Sequence, residues 1–277
     1  IEADGSAVSV TGTNLEHAVV WRIPARVSKK GRVCVPAKTL SSLLQSFGDE
    51  EVRAEEDKGG LRLSTKEREG KVNGTAADEF PLVPAVKKAQ SFSIDAGTFS
   101  RSIARVLPAV SSSEFKPELT GIYLHVEGDT VTLAATDTFR LGECVITEKA
   151  SGAQETISCI VPERTAQELA RIFDPHASGG VGVEAETHKA VMSFGENQML
   201  IECGLGRVVS RLIEGSFPDY RAIILGGDLI AAMRRTISSG VDAGVVLCGK
   251  RSAYIERSDP AFLAHVVPYY AELTMVN

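Results

Sequence analysis

An internal repeat constrains this sequence more than any other feature, because it requires one supersecondary unit to occur at least twice. Three pairs of similar segments keep their order along the chain: AVSVTGTNL (7–15) with TVTLAATDT (130–138), VCVPAKT (33–39) with IVPERT (160–165), and EFP (79–81) with SFP (216–218). The offsets are 123, 126 and 137 residues, so that the loops lengthen while the order is kept. The chain is therefore predicted to contain duplicated domains.

Within each copy, the apolar periodicity predicts both helices and strands. Helices are predicted at 36–47 and 162–173, each with proline in its first turn and apolar residues at i, i+3, i+4 and i+7. Asp95 is predicted to cap a third helix that presents Phe99, Ile103 and Val106 on one face. Short strands are predicted around these helices at 61–64, 92–94 and 190–194. This order favours an α+β fold with helices packed on one side of antiparallel sheet.

The repeat predicts three domains, at residues 1–88, 89–216 and 217–277. The second copy is expected to be complete. The first lacks a counterpart of the opening strand and helix, and we expect residues upstream of Ile1 to supply them. The third is expected to be partial, with one helix at 228–237 and two or three strands.

Composition excludes several classes of protein. No run of about 18 apolar residues is present, and the N-terminal segment lacks the features of a secretory signal. The five cysteines form no C-x-x-C pair and mostly lie among Val, Ile and Leu, which favours buried thiols in a reducing cytoplasm over a zinc or redox site. The net charge of −6 argues against tight binding of nucleic acid by phosphate neutralisation, unless basic residues gather on one surface.

The placement of arginine on the predicted helices suggests such a surface. Arg101 and Arg105 stand four residues apart on the helix after Asp95, with no acidic residue between them. Further pairs occur on the other predicted helices, namely Arg164 with Arg171 and Arg234 with Arg235. Arginine on a helix often only solvates its surface, but agreement across repeated domains favours loose contact with a phosphate backbone. The pattern is too sparse for the reading of base sequence.

No catalytic or metal-binding motif is present among the five histidines and the acidic residues, and we expect neither a cofactor nor a metal. Asp137 could serve as a strand-end catalytic acid, which leaves a hydrolase as one hypothesis. Its counterpart in the first copy is expected to be Asn14 after a shift of one residue, and this favours capping of a turn instead. His125 and His265 are expected to be core or edge residues of strands.

Several stretches resemble the beta sliding clamp family, the beta subunit of bacterial DNA polymerase III. The most specific are PELTG (117–121), TVTLAATDTFRL (130–141) and LIEGSFPDY (212–220), with supporting matches at Val161-Pro162 and at 266–268. The resemblance implies a non-catalytic processivity factor with the DNA-clamp fold. Two such subunits would form a homodimeric ring around double-stranded DNA, with antiparallel sheets outside and two helices per domain inside.

The resemblance also implies two sites. Residues expected to face DNA are Arg101, Arg105, Lys116, Arg164, Arg171, Arg234 and Arg235. A groove between the second and third domains would capture short peptides of the polymerase III alpha subunit, the clamp loader and repair polymerases. The residues expected to form this groove are Leu119, Thr136, Thr138, Phe139, Arg140, Leu141, Pro218, Ile223, Ser252, Val266, Val267, Pro268 and Tyr269.

The sequence departs from the family at this groove. Thr138-Phe139 replaces the usual Gly-His, Ala222 stands where arginine is common, and the chain continues beyond Pro268 for longer than is typical. An alternative function is therefore an adaptor of repeated domains that binds partner peptides without encircling DNA.

Overall fold

The computed structural model describes most of the chain up to Tyr220. The described residues are 1–83, 85–86, 90–138, 140–146, 156–173 and 189–220, together with the backbone of two later strands. The chain divides into two compact units, Ile1–Ala85 with Leu205–Val209, and Val86–Gly204 with Ser210–Asn277. None of the helices among the described residues is long and apolar enough to cross a membrane.

The first unit contains two antiparallel sheets and one helix. Its elements in chain order are β1 (Glu2–Asp4), β2 (Ala7–Thr13), β3 (His17–Pro24), β4 (Gly31–Arg32), α1 (Ala37–Phe47), β5 (Arg53–Asp57), β6 (Gly60–Ser64) and β7 (Glu69–Asn73). Within this unit the strands pair in the orders β4-β1-β2-β3 and β5-β6-β7. The predicted helix at 36–47 and strand at 61–64 are thus confirmed to within one residue.

Helix α1 begins and ends where the sequence predicts, because the residues next to its two ends determine both positions. Pro36, at φ −62°, lies just before the first helical residue, where its missing N–H leaves no hydrogen bond unmade. Gly48 ends the helix at φ +65°, a conformation that glycine adopts without steric cost. Phe47 packs in a core with Leu61 and Leu63, whereas Leu44 remains 39% exposed although the periodicity placed it on the apolar face.

The second unit repeats this plan with an additional strand and helix. Its elements are β8 (Gln90–Asp95), α2 (Ala96–Val106), β9 (Gly121–Glu127), β10 (Thr130–Thr136), β11 (Leu141–Ile146), β12 (Ile157–Pro162), α3 (Glu163–Ile172), β13 (Lys189–Phe194) and β14 (Gln198–Cys203). The next strand, β15 (Gly206–Arg211), belongs to the first unit as far as Val209. One antiparallel sheet has the order β11-β10-β9-β12, and β13 pairs with both β8 and β14. Two later strands, β16 (Gly244–Cys248) and β17 (Ser252–Glu256), pair with each other.

Helices α2 and α3 pack against each other in the second unit. Asp95 caps α2 as predicted, because its side chain accepts a hydrogen bond from the Thr98 N–H at 2.7 Å. The Ser100 hydroxyl donates to the Ala170 carbonyl at 2.7 Å and links the two helices. Leu169 on α3 is completely buried. The pair therefore has a packed inner side, and its charged side chains lie on the opposite, exposed side.

The two units share their strand order, which confirms the duplication predicted from sequence. The order β4-β1-β2-β3 in the first unit corresponds to β12-β9-β10-β11 in the second. In both units an isolated bridge precedes the helix: the Thr75 N–H donates to the Cys34 carbonyl, and the Ile213 N–H to the Ile160 carbonyl, each at 2.9 Å. The shared order of segments thus reflects repeated backbone pairing.

The turns after β2 and β10 have the same hydrogen-bonding pattern. Thr13 Oγ1 donates to the His17 carbonyl and Thr136 Oγ1 to the Arg140 carbonyl, at 2.8 and 2.6 Å. The residue in the middle of each turn has a positive φ, 76° at Leu15 and 75° at Thr138. Asp137 and Asn14 are therefore direct counterparts at the offset of 123, and the expected shift of one residue between them was wrong.

Candidate functional site

An aromatic cluster covers one face of the sheet β11-β10-β9-β12. It consists of Tyr123, Ala134, Leu141, Phe217 and Tyr220. The rings of Tyr123 and Phe217 stack with centroids 5.0 Å apart and an interplanar angle of 10°. Phe217 meets Tyr220 edge to face, with centroids 6.0 Å apart. Such offset and edge-to-face pairs add stability beyond the apolar area that they bury.

The register of the strands determines which of their side chains share one face with the cluster. Ala134 on β10 lies opposite Tyr123 on β9 and Glu143 on β11, so these three side chains share one face. The alternate residues, such as Leu133 and Leu124, point to the other face and are almost fully buried. The face that carries Tyr123 is the one on which the segment after β15 lies.

The segment at 212–220 supplies the remaining aromatic residues. It is held at one end by the hydrogen bond from the Ile213 N–H to the Ile160 carbonyl. At the other end the Tyr220 N–H donates to the Pro218 carbonyl at 2.7 Å, and the Tyr220 side chain is only 3% exposed. Pro218, one of the predicted groove residues, lies between these two aromatic residues in the sequence and is partly exposed.

One carboxylate lies within this apolar surface. The Tyr220 hydroxyl donates to Glu143 Oε1 at 2.6 Å, a length typical of a hydrogen bond to a carboxylate. Glu143 is partly buried on β11, on the same face as Leu141. Ala134, Leu141 and Tyr220 are buried in this cluster, whereas Tyr123, Phe217 and Glu143 remain partly exposed.

The turn at 136–140 borders the cluster. The Arg140 N–H donates to Asp137 Oδ1 at 2.7 Å, and the Arg140 guanidinium pairs with Oδ2 of the same carboxylate at 2.8 Å. Both oxygens of Asp137 therefore bind groups of the turn, as expected for a side chain that caps it. The Arg140 side chain remains partly exposed. This arrangement does not present Asp137 as a free catalytic acid.

The structure brings only some of the predicted groove residues together. Leu141 is in the aromatic cluster, Pro218 follows the cluster residue Phe217 in the chain, and Thr136, Thr138 and Arg140 form the neighbouring turn. Leu119 is 2% exposed in a short 3-10 helix and is not among the cluster residues. Outside the described residues lie Phe139, Ala222, Ile223, Val266, Val267, Pro268 and Tyr269, and Ser252 is described only as the first residue of β17.

Sequence reasoning missed four residues of this surface: Tyr123, Glu143, Phe217 and Tyr220. Phe217 and Tyr220 lie in the quoted segment LIEGSFPDY, so their aromatic character was the available signal. Tyr123 and Glu143 occupy alternate positions of strands whose register no local pattern reveals.

The predicted DNA-facing residues that the structure describes lie on α2, on α3 and in the loop after α2. Arg101 and Arg164 are exposed, and Arg105 is partly exposed. Arg171 is exposed but pairs with Glu168 at 2.7 Å, which reduces its free positive charge. Lys116 is exposed next to Phe115, whose side chain is 98% exposed and was not predicted to have a role. Arg234 and Arg235 lie outside the described residues.

Neither the histidines nor the cysteines of the described residues assemble a reactive centre. His125 Nδ1 lies 2.8 Å from Ser158 Oγ on the neighbouring strand, and its side chain is mostly buried. Burial raises the pKa of the Cys159 thiol to about 12, as expected for an inert thiol. Across the described ranges, no group of three or more His, Cys, Asp or Glu side chains could hold a metal ion.

The chain is similar in sequence to known proteins. Residues 93–219 match the family model of the DNA polymerase III beta subunit, central domain. The beta sliding clamp of Pseudomonas aeruginosa is 28% identical over 90% of this chain and 66% of its own length. The beta sliding clamp of Synechococcus elongatus is 27% identical over 80% of this chain. The chain spans only 58% of that relative.

Solved structures agree with these sequence matches. The DNA polymerase sliding clamp of Pseudomonas aeruginosa is 25% identical, with a TM-score of 0.71 over 86% of this chain and 65% of its own. The Helicobacter pylori beta clamp bound to a DNA ligase peptide is 19% identical, with a TM-score of 0.67 over 88% of this chain and 67% of its own. The chain therefore has the α+β fold of the DNA clamps, and its resemblance to the beta subunit of bacterial DNA polymerase III, the beta sliding clamp, is confirmed.

Proposed function

We propose that this chain acts as a DNA sliding clamp, a non-catalytic subunit that encircles duplex DNA and tethers the replicative polymerase. The observation that carries the proposal is the helix pair α2 and α3, which presents arginines on its exposed side within a domain of the clamp family. The clamp domains are proposed at 1–88, 89–216 and 217–277, in a cytoplasmic homodimer that closes as a ring.

The charge distribution supports encirclement rather than tight binding. Helix α2 carries Arg101 and Arg105 without any acidic residue, although the whole chain has a net charge of −6. A ring remains on DNA by topology, so that a few mobile phosphate contacts suffice. An acidic body also discourages non-specific attachment to nucleic acid. The two features are therefore compatible in a protein that slides.

The aromatic cluster supports a second role, the capture of partner peptides. The Helicobacter pylori clamp, which shares the fold, was solved with a DNA ligase peptide. In this chain the proposed groove uses Leu141, Pro218, Thr136 and Arg140, beside the rings of Tyr123 and Phe217. Its partners would be the polymerase III alpha subunit, the clamp loader and repair polymerases, which would bind through short peptide motifs.

Retention on circular DNA tests the proposed encirclement. The full-length protein is diluted until dimers dissociate, concentrated again with nicked circular plasmid, and separated from free protein by gel filtration. We expect protein to remain on the circle at high salt and to leave when one restriction cut linearises the plasmid. Equal loss from circular and linear DNA as salt rises would contradict encirclement, because ordinary phosphate contacts weaken in the same way on both.

A further inference from the structure

Glu143 is the one carboxylate of the sheet that hydrogen-bonds directly to the aromatic cluster among the described residues. Its backbone lies on β11 opposite Ala134, a cluster residue that is fully buried. Leu141 lies two residues earlier on the same face. A carboxylate at this position loses part of its hydration to apolar neighbours, so its presence requires a compensating partner.

Tyr220 supplies only part of that compensation. Its hydroxyl donates to Glu143 Oε1 at 2.6 Å, while Glu143 Oε2 makes no hydrogen bond or ion pair with any residue that the structure describes. A neutral amide oxygen would also accept this hydrogen bond, although more weakly, so the position of Tyr220 does not require the negative charge. The charge is therefore available to a group that arrives from outside.

The charged residues around the cluster add to the negative potential. The segment that covers the sheet carries Glu214 and Asp219, both exposed, and Glu118 lies close to Gly215 of the same segment. The neighbouring base, Arg140, is already paired with Asp137. Attraction of a cation to this surface is thus favoured over attraction of an anion.

We propose that Glu143 is a specificity-determining residue of the groove and selects partner peptides that carry lysine or arginine beside their apolar anchors. The apolar anchor would pack on Tyr123 and Phe217, the partly exposed rings of the cluster. The cationic side chain would donate to Glu143 Oε2 in a charge-assisted hydrogen bond, which is stronger than a neutral one. This inference rests on the proposed function of the cluster as a peptide site.

Paired synthetic peptides test the proposal. The probes are acetyl-Ala-Leu-Ala-Leu-Phe-amide and a set in which lysine, or its neutral isostere norleucine, replaces each residue in turn. Binding to the full-length protein is measured by isothermal titration calorimetry. At the best position we expect the lysine peptide to bind about five- to tenfold more tightly than the norleucine peptide, and the difference to shrink as salt rises.

Variants then assign the preference to Glu143. Glu143→Gln keeps an acceptor for the Tyr220 hydroxyl but removes the charge, and should reduce the lysine preference to less than about twofold. Tyr220→Phe keeps the charge and should retain the preference. Thermal unfolding of both variants checks that the fold is kept.

The outcomes separate this inference from the proposed function. Binding of the apolar peptides with no lysine preference, or with the same preference in Glu143→Gln, would overturn the role of Glu143 and leave the groove in place. Failure of every peptide to bind would overturn the groove itself, and the role of Glu143 with it.

Discussion

Asn14 and Asp137 hold the same turn in the two units of the chain, 123 residues apart. Each Oδ1 accepts a hydrogen bond from the backbone N–H three residues later, His17 at 2.9 Å and Arg140 at 2.7 Å. Because an amide performs this task in one unit and a carboxylate in the other, the task requires only a short side chain with an acceptor oxygen. The equivalence explains Asp137 without any catalytic role.

We expect Asp137→Ala to lower the free energy of unfolding by about 1–2 kcal/mol, because the turn loses hydrogen bonds to the backbone and to Arg140. Asp137→Asn should cost less than half as much, because the amide oxygen still caps the turn as Asn14 does. Urea denaturation measures both. An equal loss in the two variants would show that the charge, and not the capping geometry, stabilises this turn.

The positive φ of 75° at Thr138 predicts a stabilising substitution. A left-handed conformation costs a non-glycine residue about 1–2 kcal/mol, and glycine avoids that cost while adding entropy to the unfolded chain. We expect Thr138→Gly to raise the free energy of unfolding by about 0.5 kcal/mol, measured by thermal denaturation. The matched change Thr130→Gly, at the start of β10, should lower it, because glycine weakens a strand.

Equivalent helices of the two units should differ in their sensitivity to truncation. Leu169 on α3 is completely buried, and Leu169→Ala should lower the free energy of unfolding by about 3 kcal/mol through a cavity and reduced burial. Leu44 on α1 is 39% exposed, and Leu44→Ala should cost less than about 1 kcal/mol. Similar losses in the two variants, measured by urea denaturation, would mean that Leu44 is covered in solution.

The exposed arginines of the helix pair should govern contact with DNA. We expect Arg101→Gln with Arg164→Gln to lower the salt dependence of DNA binding, by about 0.9 in the slope of log K against log salt for each phosphate that the variant no longer neutralises. Arg26→Gln with Arg207→Gln removes the same charge from exposed positions of the first unit. Fluorescence anisotropy with duplex DNA compares the two pairs, and equal effects would contradict a DNA-facing role for α2 and α3.

Cys159 should resist alkylation in the folded protein. Its side chain shares the inner face of the sheet with Leu124, opposite it on β9, and burial raises the pKa of the thiol from 9.0 to about 12. Because the thiolate is the reactive form, iodoacetamide at pH 9 should modify Cys159 only after unfolding. Peptide mapping by mass spectrometry compares native protein with protein in guanidinium, and rapid reaction of the native thiol would contradict the raised pKa.

The same raised pKa has a consequence for stability. The unfolded state ionises this thiol from about pH 9 and the folded state only near pH 12, so the unfolded state holds fewer protons in that interval. The contribution of Cys159 to stability is thus fully present below pH 9 and is lost as the pH rises toward 12. Cys159→Ala should show a weaker fall in the free energy of unfolding over this range, measured by urea denaturation at several pH values.

Features that depend on neighbouring residues were predicted correctly from the sequence. The helix predicted from Pro36 begins at Ala37, and the helix predicted after Asp95 begins at Ala96 with that side chain as its cap. These signals succeed because a missing N–H or a capping oxygen acts within one turn of the chain. The ring, the DNA-facing surface and the complete groove stay predictions, since several of their residues lie outside the described ranges.

The sequence by itself determined the repeat, the helices and strands of each copy, and the resemblance to the sliding clamps. All three can be recognised from local residue patterns that recur in the same order. Only the tertiary structure decided that Tyr123, Glu143 and Tyr220 meet on one face. Their meeting depends on the register of β9, β10 and β11 and on the path of the segment after β15, and a shift of one residue would turn each strand side chain to the other face. Pairing between distant strands sets that register, so the neighbours of a single residue do not reveal it.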